Sequence, residues 1–429
     1  MLRRSRWSTI APLLALLLIL AGSPGGFAQE ASDHEADFDR VAEETAALRE
    51  LSLDAEIEER FFSNEELRQE LLATIDEDYP PDEAAADSRA LAAFGLIPEG
   101  TDLAALYVDF LTENVAGFYD SETNQMYLIG SDFGPLEEFA YSHEVVHALQ
   151  DQHLGLDEIS DTFSDLSDDE ALAVTSLYEG DAMAASLAYV LENPMLVVRL
   201  AGSELIGQQD LPVLDSTPPV LVVSFLFPYL AGQPFVEAIR ADGGWEAVDA
   251  AYDDPPVSTE QILHPEKYLD RDDPTPVTLP DLAPTLGEGW DIVDEDVVGE
   301  LQTAVLLANL QPGEAISMTS GLNLPDEALA AAAGWDGDRY ALWADDDEEV
   351  LVWSSVWDSE QEATDFSHAL QQREAARLSG GFEETTPAAV TLVTDGHAVR
   401  IEQNGAEVRY LLAPTIERVE QAAASLSGA

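Results

Sequence analysis

Cysteine is absent from the 429 residues, and lysine occurs once, at Lys267. Without thiols the chain forms no disulfide and carries no lipid on cysteine. It also offers no thiolate, so any metal must be held by histidine and carboxylate. Positive charge is equally scarce. Eighteen basic residues against 85 acidic ones give a formal charge of −67, with the acids spread over the whole length. Such a surface repels phosphate, which excludes nucleic acid as a partner. Long apolar runs are lacking too: residues 10–21 and 220–230 are each too short to span a bilayer. No stable membrane span is therefore expected once a leader is removed. What remains is 46% hydrophobic residues, enough for real cores. Acidity combined with near-absence of lysine points to adaptation to a salty environment, where screening relieves self-repulsion.

The first 28 residues read as a secretory signal peptide. Arg3, Arg4 and Arg6 precede an apolar stretch, and Gly26-Phe27-Ala28 offers a cleavage site. The chain is thus expected to be secreted or extracytoplasmic, with an uncleaved N-terminal anchor as the alternative. Residues 29–110 read as an N-terminal helical region, 111–325 as a central domain and 326–429 as a C-terminal domain.

Periodicity and punctuation place the main elements. Residues 29–60 are acidic and amphipathic, with Val41, Leu48 and Leu51 at helical spacing. Residues 115–119 and 126–129, split by a turn at 120–124, predict a β-hairpin. Pro135 opens a helix that runs to His153 before Gly155 stops it, and residues 168–190 form a second long helix. From 194 to 252 the chain reads as apolar helix broken at Pro212, Pro218-Pro219 and Pro228. A helix is expected at 293–310. Beyond about residue 325, five short strands and two helices predict a small α+β unit.

Two of the seven histidines stand in the run His143-Glu144-Val145-Val146-His147. On a helix, residues i and i+4 share a face, so both imidazoles can grip one Zn²⁺ while Glu144 addresses a water as general base. Chance gives on the order of 0.01 such matches in a chain of this length and composition.

A catalytic zinc needs a third protein ligand, and two candidates compete. His153 has metzincin spacing, but Gln150 stands where that pattern needs glycine. On a continuing helix, at roughly 100° per residue, it points well away from the other two. The second candidate is Glu179, 32 residues past His147 (179 − 147) on a helix long enough to pack beside the first. A carboxylate from a downstream helix completes a His₂Glu site. Gly180 beside it allows close helix approach, and Asp181 could orient a ligand imidazole. Glu170 is a spare.

Residues 140–153 around this motif, Leu177-Tyr178-Glu179-Gly180-Asp181-Ala182, residues 243–248 (GGWEAV), 258–268 (STEQILHPEKY) and 334–340 together resemble a family of secreted bacterial and archaeal gluzincin-like metallopeptidases. The family is poorly characterised, and the resemblance covers roughly 110–345. It implies His143, His147 and Glu179 as ligands and Glu144 as base, and it supplies no substrate. Thermolysin-type enzymes carry an Asp four residues after the ligand Glu; here that place is Met183. The expected fold class is therefore α+β: a mainly helical zincin-like metallopeptidase domain with a small β-hairpin, then a small α+β C-terminal domain.

The 258–268 segment holds the only lysine, between His264 and Tyr268. His264 is a candidate catalytic residue, donating to an oxyanion opposite the zinc. The competing reading is that His264 and Lys267 pair with local acids to fix a loop. The function that follows is a secreted zinc metallopeptidase acting on a peptide or protein substrate, which the hairpin edge could bind as an added strand. Alternatives are a secreted or cell-surface binding protein with a structural zinc, and a zinc hydrolase of a non-peptide amide.

Overall fold

In a computed structural model of the chain, residues 15–18, 34–121, 123–130, 132–156, 163–202, 213, 216–317 and 321–426 are described. The expected leader, 1–28, lies outside the described residues apart from 15–18.

The protein is α+β. Its first part comprises β1 (Ala15–Leu18), α1 (Glu35–Arg49), β2 (Glu58–Phe62), α2 (Asn64–Asp78), α3 (Pro81–Phe94), α4 (Leu103–Asn114), β3 (Val115–Asp120), β4 (Gln125–Ile129), α5 (Pro135–Leu154), α6 (Asp168–Glu192), α7 (Pro194–Gly202) and α8 (Pro219–Ala251). The short helices α9 (Thr259–Leu263), α10 (Pro265–Asp270) and α11 (Ala283–Leu286) lead to β5 (Asp291–Asp296) and α12 (Gly299–Ala308). Then come β6 (Ile316–Ser317), β7 (Gly321–Leu322), α13 (Asp326–Ala332), β8 (Trp335–Ala344), β9 (Glu349–Trp357), α14 (Glu360–Arg377), β10 (Glu383–Thr386), β11 (Ala389–Thr394), β12 (His397–Asn404), β13 (Glu407–Ala413) and α15 (Ile416–Leu426).

The expected hairpin β3–β4 is present, inside a four-stranded sheet ordered β1-β3-β4-β2. Strand β2 runs parallel to β4, from Glu58 opposite Gln125 to Phe62 opposite Ile129. It falls partly within the stretch read as helical. The helix ends earlier, where Glu50 adopts a left-handed φ of 63°. The partner of β2 lies more than sixty residues away, so local periodicity carries no trace of the pairing.

Helix α5 starts and stops as its sequence dictates. Pro135 needs no N–H partner in the first turn, the Glu137 carboxylate accepts from Gly134 N–H at 3.1 Å, and Gly155 closes the end at φ 69°. Helix α6 is capped by Ser167, whose Oγ accepts from Glu170 N–H, and its first turn carries Asp168, Asp169 and Glu170 at the positive end of the helix dipole. The side of α5 bearing Tyr141, Val145 and Leu149 packs with Phe38 and Val41 of α1 and with Met126 and Leu128 of β4.

Helix α8 corrects the expectation of a break at Pro228. It runs through both Pro228 and Pro234 and bends later, where Gly244 has φ 74°. Each proline removes a backbone donor, but Phe227, Pro228, Phe235 and Val236 are buried, and that packing outweighs the loss. By length and composition this helix could cross a membrane, yet 56% of its apolar window is buried inside the protein.

The C-terminal part is a seven-stranded antiparallel sheet ordered β10-β11-β12-β13-β9-β8-β5. One face packs Trp353, Tyr410 and Val399 against Phe366 and Leu370 of α14 and Phe94 of α3. The other packs Trp343, Val352 and Leu411 against Val419, Ala422 and Leu426 of α15. Strand β5 pairs with β8 as an edge, so the sheet begins before residue 326, and the helix expected at 293–310 starts only at Gly299. Ile292 and Val293 favour strand, and the Asp294 carboxylate accepts from Tyr340 OH at 2.6 Å across the pair.

Candidate metal centre

Helices α5 and α6 together build one cluster. His143 and His147 sit one turn apart on α5, with their Nε2 atoms 3.1 Å from each other. Glu179 comes from α6, its Oε2 lying 3.0 Å from His143 Nε2 and 3.4 Å from His147 Nε2. All three are buried, the histidines at 0% exposure and Glu179 at 3%. Among the described residues this is the group of ligand-type side chains that could hold a metal ion.

Gly180, next to the ligand candidate, does allow a close approach, but the visitor is α8 rather than α5. A Cβ on Gly180 would collide with the Gly232 backbone, and one on Gly232 with the Ser176 carbonyl. Glycine at both positions lets the two backbones touch one residue away from Glu179.

Burying three ionisable groups together fixes their charges. Burial alone would raise the Glu179 carboxyl, but the two imidazoles outweigh it and draw it down to about 2. Burial also opposes charge on His147; the Glu179 carboxylate overrides it and raises that imidazole to about 9. For His143 burial prevails over Glu179, and its pKa is lowered. Two imidazole nitrogens and one carboxylate oxygen converging on one point are the donor set that Zn²⁺ and similar divalent ions take. The residues therefore fit a metal.

Glu144 is held by the hairpin. Its Oε2 accepts from Tyr119 N–H of β3 at 3.0 Å, and the side chain is fully buried. A backbone donor from a strand thus fixes the carboxylate that follows the first histidine.

The remaining expected residues stand apart. His153 Nε2 lies 2.6 Å from the Ser52 carbonyl oxygen, so of the two candidates for a third ligand the structure brings Glu179, and not His153, to the two histidines. His264 is not brought to the trio. Its Nε2 lies 3.0 Å from Glu300 Oε1, and its segment docks through Thr259 onto Asp169. Asp169 is ten residues before Glu179 on α6, about 15 Å along the helix axis. Lys267 donates to Glu260 at 2.6 Å and Asp358 at 2.8 Å. The segment is an ionic joint between α9–α10 and the end of β9, as the loop-fixing reading had it. Burial pushes Glu260 up to about 7 despite Lys267.

Sequence reasoning missed Gln150 as a functional residue, treating it only as the wrong residue for a metzincin turn. Its Oε1 lies 2.8 Å from His147 Nδ1. Arg49, Tyr252 and Trp245 were missed as well. Of these only Trp245 lies in a segment singled out in the sequence, 243–248; nothing local marks Arg49 or Tyr252.

Comparison with known proteins adds one match. Residues 288–423 match a family described as a domain of unknown function, DUF8575. That stretch is the C-terminal sheet and its helices, outside the metal cluster. It begins near β5, where the sheet begins. No curated protein and no solved structure matches the chain.

Proposed function

We propose that the protein is a zinc-dependent peptide hydrolase with His143, His147 and Glu179 as metal ligands and Glu144 as general base. The observation that carries this reading is the convergence of His143 Nε2, His147 Nε2 and Glu179 Oε2 within 3.4 Å, with Glu144 on the same helix as the two histidines. A bound Zn²⁺ would polarise a scissile carbonyl and acidify a water molecule. Glu144, held by the Tyr119 amide, accepts the proton of that water and passes it to the departing amine.

Substrate is held, on this reading, along the backbone edge of β3 that is turned away from β4. In this chain that edge accepts residues 15–18 as an antiparallel strand, with Ala15 opposite Tyr119 and Leu16 opposite Phe118. An extended peptide bound in the same way would be read through its main chain. The apolar segment 15–18 belongs to the expected signal peptide, so its removal on export would free the edge for substrate. This extends the reading of a secreted enzyme.

A second reading has one observation in its favour: the ligands and Glu144 are wholly or almost wholly buried, which also suits a structural metal in a binding protein. The two separate on turnover. Purified protein lacking residues 1–28, given one equivalent of Zn²⁺ and a diverse peptide pool, should produce new amino termini that a chelator suppresses. A pool left intact under all salt conditions supports the structural metal instead.

A further inference from the structure

An imidazole ligates a metal through one nitrogen only when the other carries the proton, and a hydrogen bond to that other nitrogen decides which is which. For His147 the second nitrogen is Nδ1, 2.8 Å from the side chain of Gln150. The orientation of the Gln150 amide follows from its other neighbours. The far side of the amide lies 3.0 Å from the Tyr178 carbonyl oxygen and 3.2 Å from Asp181 Oδ2. Both are acceptors, so the amide nitrogen must stand there and donate to them. The amide oxygen then faces His147. It can only accept, so Nδ1 must hold a proton, and on metal binding Nε2 is the nitrogen that gives up its own.

What holds Gln150 is itself held. Asp181 accepts from Tyr252 OH at 2.7 Å and from both arms of Arg49, Nε at 2.7 Å and Nη2 at 3.2 Å. Arg49 is fully buried at the end of α1. Its guanidinium stacks 4.4 Å from the Trp245 ring, Nη2 also donates to Asp249 at 2.5 Å, and Trp245 Nε1 closes the clamp on the Leu48 carbonyl at 2.9 Å. A buried fork of this kind is rigid, because moving either partner leaves an uncompensated charge in the interior.

We propose that Arg49, Asp181 and Gln150 are positioning residues of the metal centre: the guanidinium fixes the Asp181 carboxylate, the carboxylate fixes the Gln150 amide, and the amide holds His147 in the tautomer that presents Nε2. The N-terminal helix α1 is thereby part of the metal site, and Trp245 and Asp249 are its clamp. This rests on the reading of the trio as a metal site.

The test uses the full chain and Gln150→Met, which keeps length and volume but removes both the acceptor and the donors. Zinc affinity is measured by chelator competition, and Co²⁺ absorption reports the ligand geometry. We expect a 10- to 100-fold loss of zinc affinity, the range for lost partners of metal-bound histidines, together with an altered Co²⁺ spectrum. Far-ultraviolet circular dichroism should stay unchanged. A second readout needs no metal: with ¹⁵N-histidine labelling, His147 shows an exchange-protected Nδ1–H proton that Gln150→Met abolishes. If the parent protein binds no zinc, the metal reading falls while this proton signal still decides the relay. Unchanged affinity and spectrum in Gln150→Met, or an unchanged Nδ1–H signal, overturns the proposal. Should Gln150→Met fail to fold, Asp181→Asn carries the same measurements, with a smaller loss in the same direction expected and no loss overturning it.

Discussion

Gly180 of α6 and Gly232 of α8 meet backbone to backbone, and neither position has room for a single methyl group. The contact lies one residue from Glu179, so overpacking there acts on both stability and the metal site. Gly180→Ala is expected to cost about 1–3 kcal/mol, the usual range for forced overpacking, even though alanine is the better helix former. Zinc affinity should fall with it, because α8 pushes α6 away from its present position. Equal stability by urea unfolding would show that the helices separate at no cost.

The ligand assignment predicts about one Zn²⁺ per chain. Glu179→Gln should lose most of the bound metal, and His153→Ala none of it, because His153 is engaged with the Ser52 carbonyl. Metal content after dialysis of the two variants measures this. Retention by the first and loss by the second would reverse the assignment.

Much of this site was legible because its chemistry is local. One helical turn fixes the relation of His143 to His147, and Pro135 and Gly155 mark the ends of their helix. Glu179 required the further step that two long helices pack together. Arg49 and Gln150 were hidden because their roles depend on partners 132 and 31 positions away, and no periodicity records such distances. His264 was misdirected by its setting. A histidine beside the only lysine suggested chemistry, and the two instead join the ends of two structural units through Glu300, Glu260 and Asp358. The fold failed in the same places. Strand β2 and edge strand β5 are defined by distant partners, Ile129 and Trp343 among them.

Acidification should stabilise this protein. Burial pushes Asp296 up to about 8, and Asp294 and Asp338 up to about 6, while Glu260 stands near 7. Each value exceeds that of an exposed carboxyl, near 4. In the fold these groups hold protons that the unfolded chain gives up, so their favourable contribution is complete below about pH 4 and disappears as pH rises through 6 to 8. Melting temperature at fixed molar salt should therefore rise by several degrees from pH 8.5 to pH 5.5. Asp296→Asn should flatten the upper part of that slope. A melting temperature that falls over this interval contradicts the assignment.

Salt acts on the whole surface. With 85 acids against 18 bases, like charges crowd at spacings comparable to the ~10 Å screening length of 0.1 M salt, and molar salt shortens that length to ~3 Å. The compact state gains more from screening than the expanded chain. Melting temperature is expected to rise steadily from low to molar NaCl, and activity to follow. A neutral osmolyte is the control, since it acts by exclusion. A flat or falling curve in NaCl would make the acidity incidental.

Glu144→Gln is the most direct test of the central claim. The amide is nearly the same size and can still meet the Tyr119 N–H through its oxygen, so the cluster of His143, His147 and Glu179 is left intact. What it loses is the capacity to take a proton from water. The measurement is peptide turnover and bound zinc on the same sample, in molar salt. The account predicts one zinc per chain and turnover reduced by at least about 10²-fold, the low end for a lost general base. Full turnover with zinc bound would contradict it.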